Sequence, residues 1–160
     1  MIRVCTAFLL VGVLSASLAV AGQPPAGTTG WERVAEVLGK KGDLSADGVY
    51  KVTFPRNELH VTMHGAPVPV GMGLASWAAF MRLPEGKAMV MGDTVMLASE
   101  VNPVIDELRK GGIEIVALHN HMLGEQPQVM FMHYQGVGEP EALARIIRRA
   151  LDQLGKDQAR

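Results

Sequence analysis

Three of the five histidines in this chain lie close together in the sequence, between positions 117 and 133. His119 and His121 are two residues apart, so on an extended strand both imidazoles lie on the same face. His133 follows in a second apolar run, after a stretch rich in turn-forming residues. Neutral imidazole is the commonest metal ligand in proteins and is also a general base near neutral pH. We therefore expect the chemistry of the protein to reside in this segment.

The strands around these histidines determine whether the three imidazoles can meet. The apolar runs 113–121 and 128–134 predict two strands of a hairpin. Cross-strand partners share a face, so a loop centred near Gln126 would place His119 opposite His133. In that register the three imidazoles converge on one side of the sheet.

Such a cluster has the composition of a transition-metal site. Three imidazoles can occupy three positions around a Zn²⁺ or Cu²⁺ ion and leave a fourth position for water. A nearby carboxylate could supply a fourth ligand, an acid or a base. The predicted metal ligands are His119, His121 and His133, and the candidate carboxylates are Asp93, Glu100 and Glu125.

Two hypotheses about function follow from this cluster, and the sequence leaves open whether the protein is an enzyme. The first is a metal-dependent protein, a hydrolase or an oxidoreductase. The second is a non-catalytic envelope module that binds a small molecule or an envelope component, with the histidines as hydrogen-bonding or structural residues.

The remaining histidines and the methionines have simpler interpretations. His60 and His64 alternate with apolar residues over 59–64, which predicts a solvent-facing side of a strand. The segments Met89-Val90-Met91, Met130-Phe131-Met132-His133 and Met63-His64 resemble combinations of thioether and imidazole ligands that suit Cu(I) in exported proteins. Methionine is also an ordinary filler of apolar cores, and we interpret the methionine pairs as core.

The N-terminal segment has the pattern of a cleavable secretory signal. Arg3 supplies the positive charge, 7–19 the apolar stretch and Ala19-Val20-Ala21 the small-residue cleavage site. A retained N-terminal anchor is the alternative, but the apolar stretch is short for a membrane span. The sequence therefore predicts a signal over 1–21 and a periplasmic or secreted protein with no stable membrane anchor after cleavage.

Charge and cysteine content exclude several classes of protein, and composition predicts the domain organisation. The formal net charge is −1, which argues against a nucleic-acid partner. The only cysteine, Cys5, lies inside the predicted signal, so a disulfide framework is excluded. We predict a flexible Pro/Gly/Thr linker over 22–30, a single domain over 31–155 and a tail over 156–160.

The periodicity of apolar residues predicts an α+β fold. From Ser76 onward the predicted elements follow a ferredoxin-like β-β-α-β-β-α order, with Ser99 as the cap of the first helix and a turn at 135–138. This order covers the C-terminal two-thirds and favours a mainly antiparallel sheet with helices packed on one face. The predicted helices are 31–39, 99–110 and 140–154, and the predicted strands are 49–54, 59–64, 76–83, 88–97, 113–121 and 128–134.

Residues 31–154 resemble the LppY/LpqO family of exported bacterial proteins, a domain of unknown function. The matching stretches are 47–56, 91–93, 100–104, 112–115, 117–121 and 131–133, followed by Gly136 and Gly138. The resemblance implies a shared site, because the family pattern includes the positions of His119, His121 and His133. It does not require histidine at 60 or 64. This chain lacks the cysteine that lipoprotein members carry at the cleavage point, which implies a protein without a lipid anchor.

Overall fold

The computed structural model of the protein describes residues 30–156. The predicted signal over 1–21, nearly all of the linker over 22–30 and the tail beyond 156 lie outside these residues, so they stay predictions, as do the domain limits. In the described range, none of the helices has the length and apolar character that crossing a bilayer requires.

The elements within residues 30–156 confirm the predicted α+β class. The helices are α1 (Glu32–Leu38), α2 (Val101–Lys110) and α3 (Pro140–Leu151). The strands are β1 (Asp43–Leu44), β2 (Tyr50–Pro55), β3 (Thr62–Met63), β4 (Ala66–Pro67), β5 (Ala75–Arg82), β6 (Ala88–Leu97), β7 (Glu114–Asn120), β8 (Glu125–Gln126) and β9 (Val129–Gly138). Apart from the two-residue strand β8, the order from β5 onward is the predicted β-β-α-β-β-α.

The main sheet is antiparallel throughout and has six strands in the order β1-β2-β5-β6-β9-β7. The long strands β6 and β9 pair over their whole lengths, and β7 forms the edge beside β9. A second sheet joins three two-residue strands in the order β4-β3-β8. The loop that carries β8 also lies between the predicted histidine positions, so the small sheet connects directly to that region.

The helices lie on one face of the main sheet and share a hydrophobic core with it, as predicted. Alternate residues of the strands point to this face, among them Val52, Phe80 and Val90, all fully buried. The principal core joins these residues to apolar side chains of all three helices, including Val34, Leu38, Val104, Leu108, Leu143 and Ile147.

The opposite face of the sheet is covered only in part. Leu59, Val61 and Leu74, from the segment between β2 and β5, pack there against Val95, Val129 and Phe131 in a second core. Beyond this second core, residues 30–156 leave the face uncovered. We call that uncovered part the open face, and its side chains include Lys51, Ala79, Met81, Met89, Met91 and Val137.

The open face overturns the core interpretation of one methionine pair. The side chains of β6 alternate, and Val90 occupies the core side with no exposed surface. Met89 and Met91 therefore lie on the open face, where Met91 is 48% exposed. Met132, on the helix side of β9, is fully buried as the core interpretation requires.

Three local predictions were wrong. The strand expected over 59–64 forms only at Thr62–Met63. The turn expected at 135–138 is strand, because Gly138 pairs with Ala88 and the glycines leave room for Leu143 of α3. Ser99 does not cap α2. The N-cap residue of α2 is Glu100, which makes no side-chain cap hydrogen bond; its carboxylate instead accepts a hydrogen bond from the backbone N–H of Leu97, at the start of the preceding turn, at 2.8 Å.

Gly92 on β6 lies directly against the ring of Tyr134, its cross-strand partner on β9. A Cβ atom at position 92 would lie 2.1 Å from Cζ of Tyr134, and this ring is buried. We expect Gly92→Ala to lower the free energy of unfolding by about 1–3 kcal/mol, measured by urea denaturation. The control is Gly71→Ala, whose Cβ would have no described neighbour within 4 Å. Equal losses in the two variants would contradict the steric argument.

Candidate functional site

The main sheet places His119 and His133 on the same face, and the ring of His121, just past the end of β7, stacks on Phe131. His133 on β9 pairs with Asp93 on β6 and with Ala117 on β7, while His119 pairs with Phe131. The predicted register, with His119 opposite His133, is therefore wrong by two residues. A shift by an even number of residues leaves every side chain on its face. His119 consequently lies diagonally across from His133, within reach of its ring.

His119 and His133 form a close imidazole pair. Their Nε2 atoms lie 3.1 Å apart, and their ring centroids are 5.2 Å apart. The Nδ1 of His119 lies 3.0 Å from the backbone carbonyl oxygen of Asn120. A carbonyl oxygen only accepts hydrogen bonds, so this contact requires a proton on Nδ1 of His119.

Asp93 is a buried carboxylate behind this pair. The residue is 7% exposed, and Oδ1 has no hydrogen-bond partner within residues 30–156. The same atom lies 3.8 Å from Nδ1 of His133. Burial raises the pKa of the Asp93 carboxyl, and the charge of His133 is the largest opposing influence, followed by that of His119. Asp93 is therefore a buried acid directly beside His133, with burial opposing its ionised form.

His121 belongs to a separate carboxylate–imidazole pair. Its Nδ1 lies 2.8 Å from Oε2 of Glu125, a residue only 1% exposed. Oε1 of Glu125 accepts hydrogen bonds from the backbone N–H groups of Val129 at 2.9 Å and Met122 at 3.3 Å. These bonds hold Glu125 in place, so it fixes the orientation of the His121 ring.

Two further neighbours, Phe131 and Gly73, lie close to the His121 ring. The ring stacks on Phe131 with a centroid separation of 4.5 Å. Its Nε2 lies 3.1 Å from the position that a Cβ atom on Gly73 would occupy. A side chain at position 73 would therefore crowd the imidazole, and glycine avoids this clash.

Glu100, the third candidate carboxylate, is engaged elsewhere. It forms a bidentate ion pair with Arg56, with N–O distances of 3.0 and 2.9 Å, and both side chains are almost completely buried. Its oxygens also accept hydrogen bonds from the backbone N–H groups of Leu97 and Gly155. None of the hydrogen bonds of Glu100 within the described range is with a histidine, and its contacts are those of a residue that stabilises the fold.

The predicted set of three converging ligands is thus divided between two pairs. In the part of the chain that the structure describes, no group of three or more His, Cys, Asp or Glu side chains is arranged to hold a metal ion. His60 and His64 are both exposed, in agreement with the solvent-facing interpretation.

Three groups that shape the site were missed from the sequence. The Asn120 carbonyl acts through its backbone and Gly73 through its lack of a side chain, so residue type gave no signal for either. Phe131 was counted only as part of an apolar run. Arg56, which binds Glu100 away from the histidines, was also missed, because only the fold shows that its guanidinium is buried.

Comparison with protein families matches residues 32–153 to the family described as Domain of Unknown Function (DUF1259). Comparisons with curated proteins and with solved structures found no match. The narrower resemblance to the LppY/LpqO family stays a prediction. The family match spans most of the chain and includes every histidine and carboxylate of the site. The chain therefore belongs to the DUF1259 family, a domain of unknown function.

Proposed function

We propose that this domain binds a divalent transition-metal ion, Zn²⁺ or Cu²⁺, through the Nε2 atoms of His119 and His133. The observation that carries the proposal is their separation of 3.1 Å. Two nitrogen ligands of one metal ion, with bonds of about 2.0–2.1 Å, lie about 2.9–3.4 Å from each other. The side chains therefore need little movement to bind the same ion.

Protonation of the two rings supports the same conclusion. The Asn120 carbonyl requires a proton on Nδ1 of His119, and the Asp93 carboxylate favours a proton on Nδ1 of His133. In the neutral rings, both Nε2 atoms then carry lone pairs that face each other. Such a contact is favourable only if a proton or a metal ion lies between the lone pairs. A metal ion can use both lone pairs at once.

The groups around the histidines are those that orient metal-binding imidazoles. A metal-bound histidine usually donates its other ring N–H to a carbonyl or carboxylate group, which fixes the tautomer. His119 has such an acceptor in Asn120, and His133 faces Asp93. His121 has the same arrangement with Glu125, and we propose it as the third ligand.

We further propose that the protein is exported and acts in the periplasm or outside the cell. The support is the signal pattern over 1–21 and the resemblance to the LppY/LpqO family. His119 is exposed and the His133 side chain is 41% exposed, so a bound ion would be accessible to water and to small molecules. This access allows either a catalytic metal, with water in an open position, or metal capture.

The test is a titration of the metal-free protein with Zn²⁺ and, separately, with Cu²⁺, followed by calorimetry and by elemental analysis after dialysis. We expect one equivalent to bind to the wild-type protein and none to His119→Gln/His133→Gln. Loss of affinity in His121→Gln would identify the third ligand. The matched control is His60→Gln/His64→Gln, which removes two exposed histidines and should keep one equivalent.

Two outcomes would overturn the metal proposal. One is a wild-type protein that retains no metal, and the other is equal retention by the wild-type protein and the His119/His133 variant. The histidine pair would then be a hydrogen-bonding site, as in the hypothesis of a non-catalytic envelope module.

A further inference from the structure

Three methionines lie together on the open face of the main sheet. Met81 on β5 is the direct cross-strand partner of Met89 on β6, and Met91 follows two residues later on the same face of β6. Met81 is 40% exposed, Met91 is 48% exposed, and Met89 is half-buried. Directly paired residues have Cβ atoms about 4.5–5.5 Å apart, so long side chains at these positions can meet.

Packing of the core does not explain why methionine occupies these three positions. The core side of both strands is occupied by other residues, among them Phe80 and Val90. Methionine is not one of the β-branched or aromatic residues that favour strands, and an exposed thioether is open to oxidation. The three side chains share one property that other apolar residues lack, which is a soft sulfur atom.

We propose that Met81, Met89 and Met91 form a thioether site for a soft monovalent cation, Cu(I). Thioether ligands select Cu(I) over the hard divalent ions, whereas imidazoles suit Zn²⁺ and Cu²⁺. The flexible side chains can turn their sulfur atoms toward one point without a change in the backbone. Met89 also borders an open depression of about 280 Å³, so an ion can reach it from solvent.

This site is distinct from the histidine pair and does not depend on it. Met91 precedes Asp93 by two residues on the same strand face, so the two sites lie side by side on one surface. The thioether site has no carboxylate or imidazole among its own ligands, and its ion differs from that of the histidines in charge and softness.

The experiment uses Ag(I), a redox-inert probe with the same charge and softness as Cu(I). The methionine methyl groups are labelled with ¹³C and observed by NMR during the titration. We expect the resonances of Met81, Met89 and Met91 to shift together and to saturate at one equivalent. His119→Gln/His133→Gln should respond in the same way, which separates this result from the metal proposal for the histidines.

The variant Met81→Leu/Met89→Leu/Met91→Leu keeps the surface apolar and removes only the sulfur atoms. We expect it to lose stoichiometric Ag(I) binding while keeping the thermal stability of the wild-type protein. The matched control is Met72→Leu, which changes a methionine that is 69% exposed but lies outside the group. Equal shifts of Met72 and the three methionines, or unchanged binding in the leucine variant, would overturn the proposal and leave an apolar contact surface.

Discussion

Replacement of Glu100 by alanine is expected to lower the free energy of unfolding by about 3–5 kcal/mol. The variant would leave the guanidinium of Arg56, which is 3% exposed, without its bidentate partner. It would also remove the acceptor for the backbone N–H groups of Leu97 and Gly155. A buried charge that loses its partner keeps its full desolvation cost, so this is the largest loss of stability that we predict.

Chemical denaturation followed by circular dichroism measures this loss. The double variant Arg56→Met/Glu100→Leu removes both charges and should recover much of the stability, because no unpaired charge remains. The control Glu58→Ala removes the more exposed carboxylate that contacts Arg56 and should cost less than about 1 kcal/mol. If Glu100→Gln stayed folded but lost metal, Glu100 would be part of the metal site and our assignment would be wrong.

Asp93→Asn is expected to change metal affinity and stability in opposite directions. Loss of the carboxylate behind His133 should weaken metal binding by about 10–100-fold, the usual effect of removing an outer-shell group. In the metal-free protein the same change should raise the free energy of unfolding at pH 7 by about 1–2 kcal/mol, because a buried carboxylate with an unpartnered oxygen is replaced by a neutral amide.

The sign of the stability effect follows from the pKa of Asp93. Burial raises this pKa in the folded protein above its ordinary value of about 3.9. The folded state therefore favours the protonated form, and the stability that this provides is complete below about pH 3.9 and lost as the pH rises through the raised pKa. The advantage of the asparagine variant should be present at neutral pH and should disappear near pH 4.

Thermal unfolding from pH 4 to pH 8, without metal, measures this difference. The control is Asp106→Asn on α2, an exposed aspartate, which should change stability by less than about 0.5 kcal/mol throughout. A variant that binds metal as tightly as the wild-type protein would show that Asp93 does not orient His133. A variant less stable than the wild type at pH 7 would contradict the role of burial.

Periodicity predicted the long strands and the helices well, but the strand predicted over 59–64 forms only at Thr62–Met63. The strand over 88–97 was predicted with the limits that β6 has, and the helix predicted over 31–39 matches α1 to within one residue at each end. The prediction was poorest at the glycines of β9, since Gly136 and Gly138 are turn-forming residues that here make room for Leu143. This role depends on α3, which follows β9 in the sequence, so the residues of the strand alone do not reveal it.

For the site, the sequence predicted the face but not the contacts. Spacing by two predicted one face for His119 and His121; in the structure both rings stack on Phe131, although His121 lies just past the end of β7. The register that pairs His119 with Phe131 depends on a bulge between Ile115 and Ala117, and residue types in the strand do not reveal it. The hydrogen bond between His121 and Glu125 depends on the pairing of β8 with β3, a contact between segments far apart in the sequence.

The edge position of β7 has a consequence for the energetics of the proposed site. His119 lies on this edge strand, which pairs on one side only, while His133 lies on β9 next to the centre of the sheet. Edge strands are the parts of a sheet that open most readily, because fewer contacts hold them. An ion bound by both histidines would hold the edge strand β7 against β9. Metal supply would then govern how often the edge opens, so the same two side chains would bind the ion and adjust the local stability of the sheet.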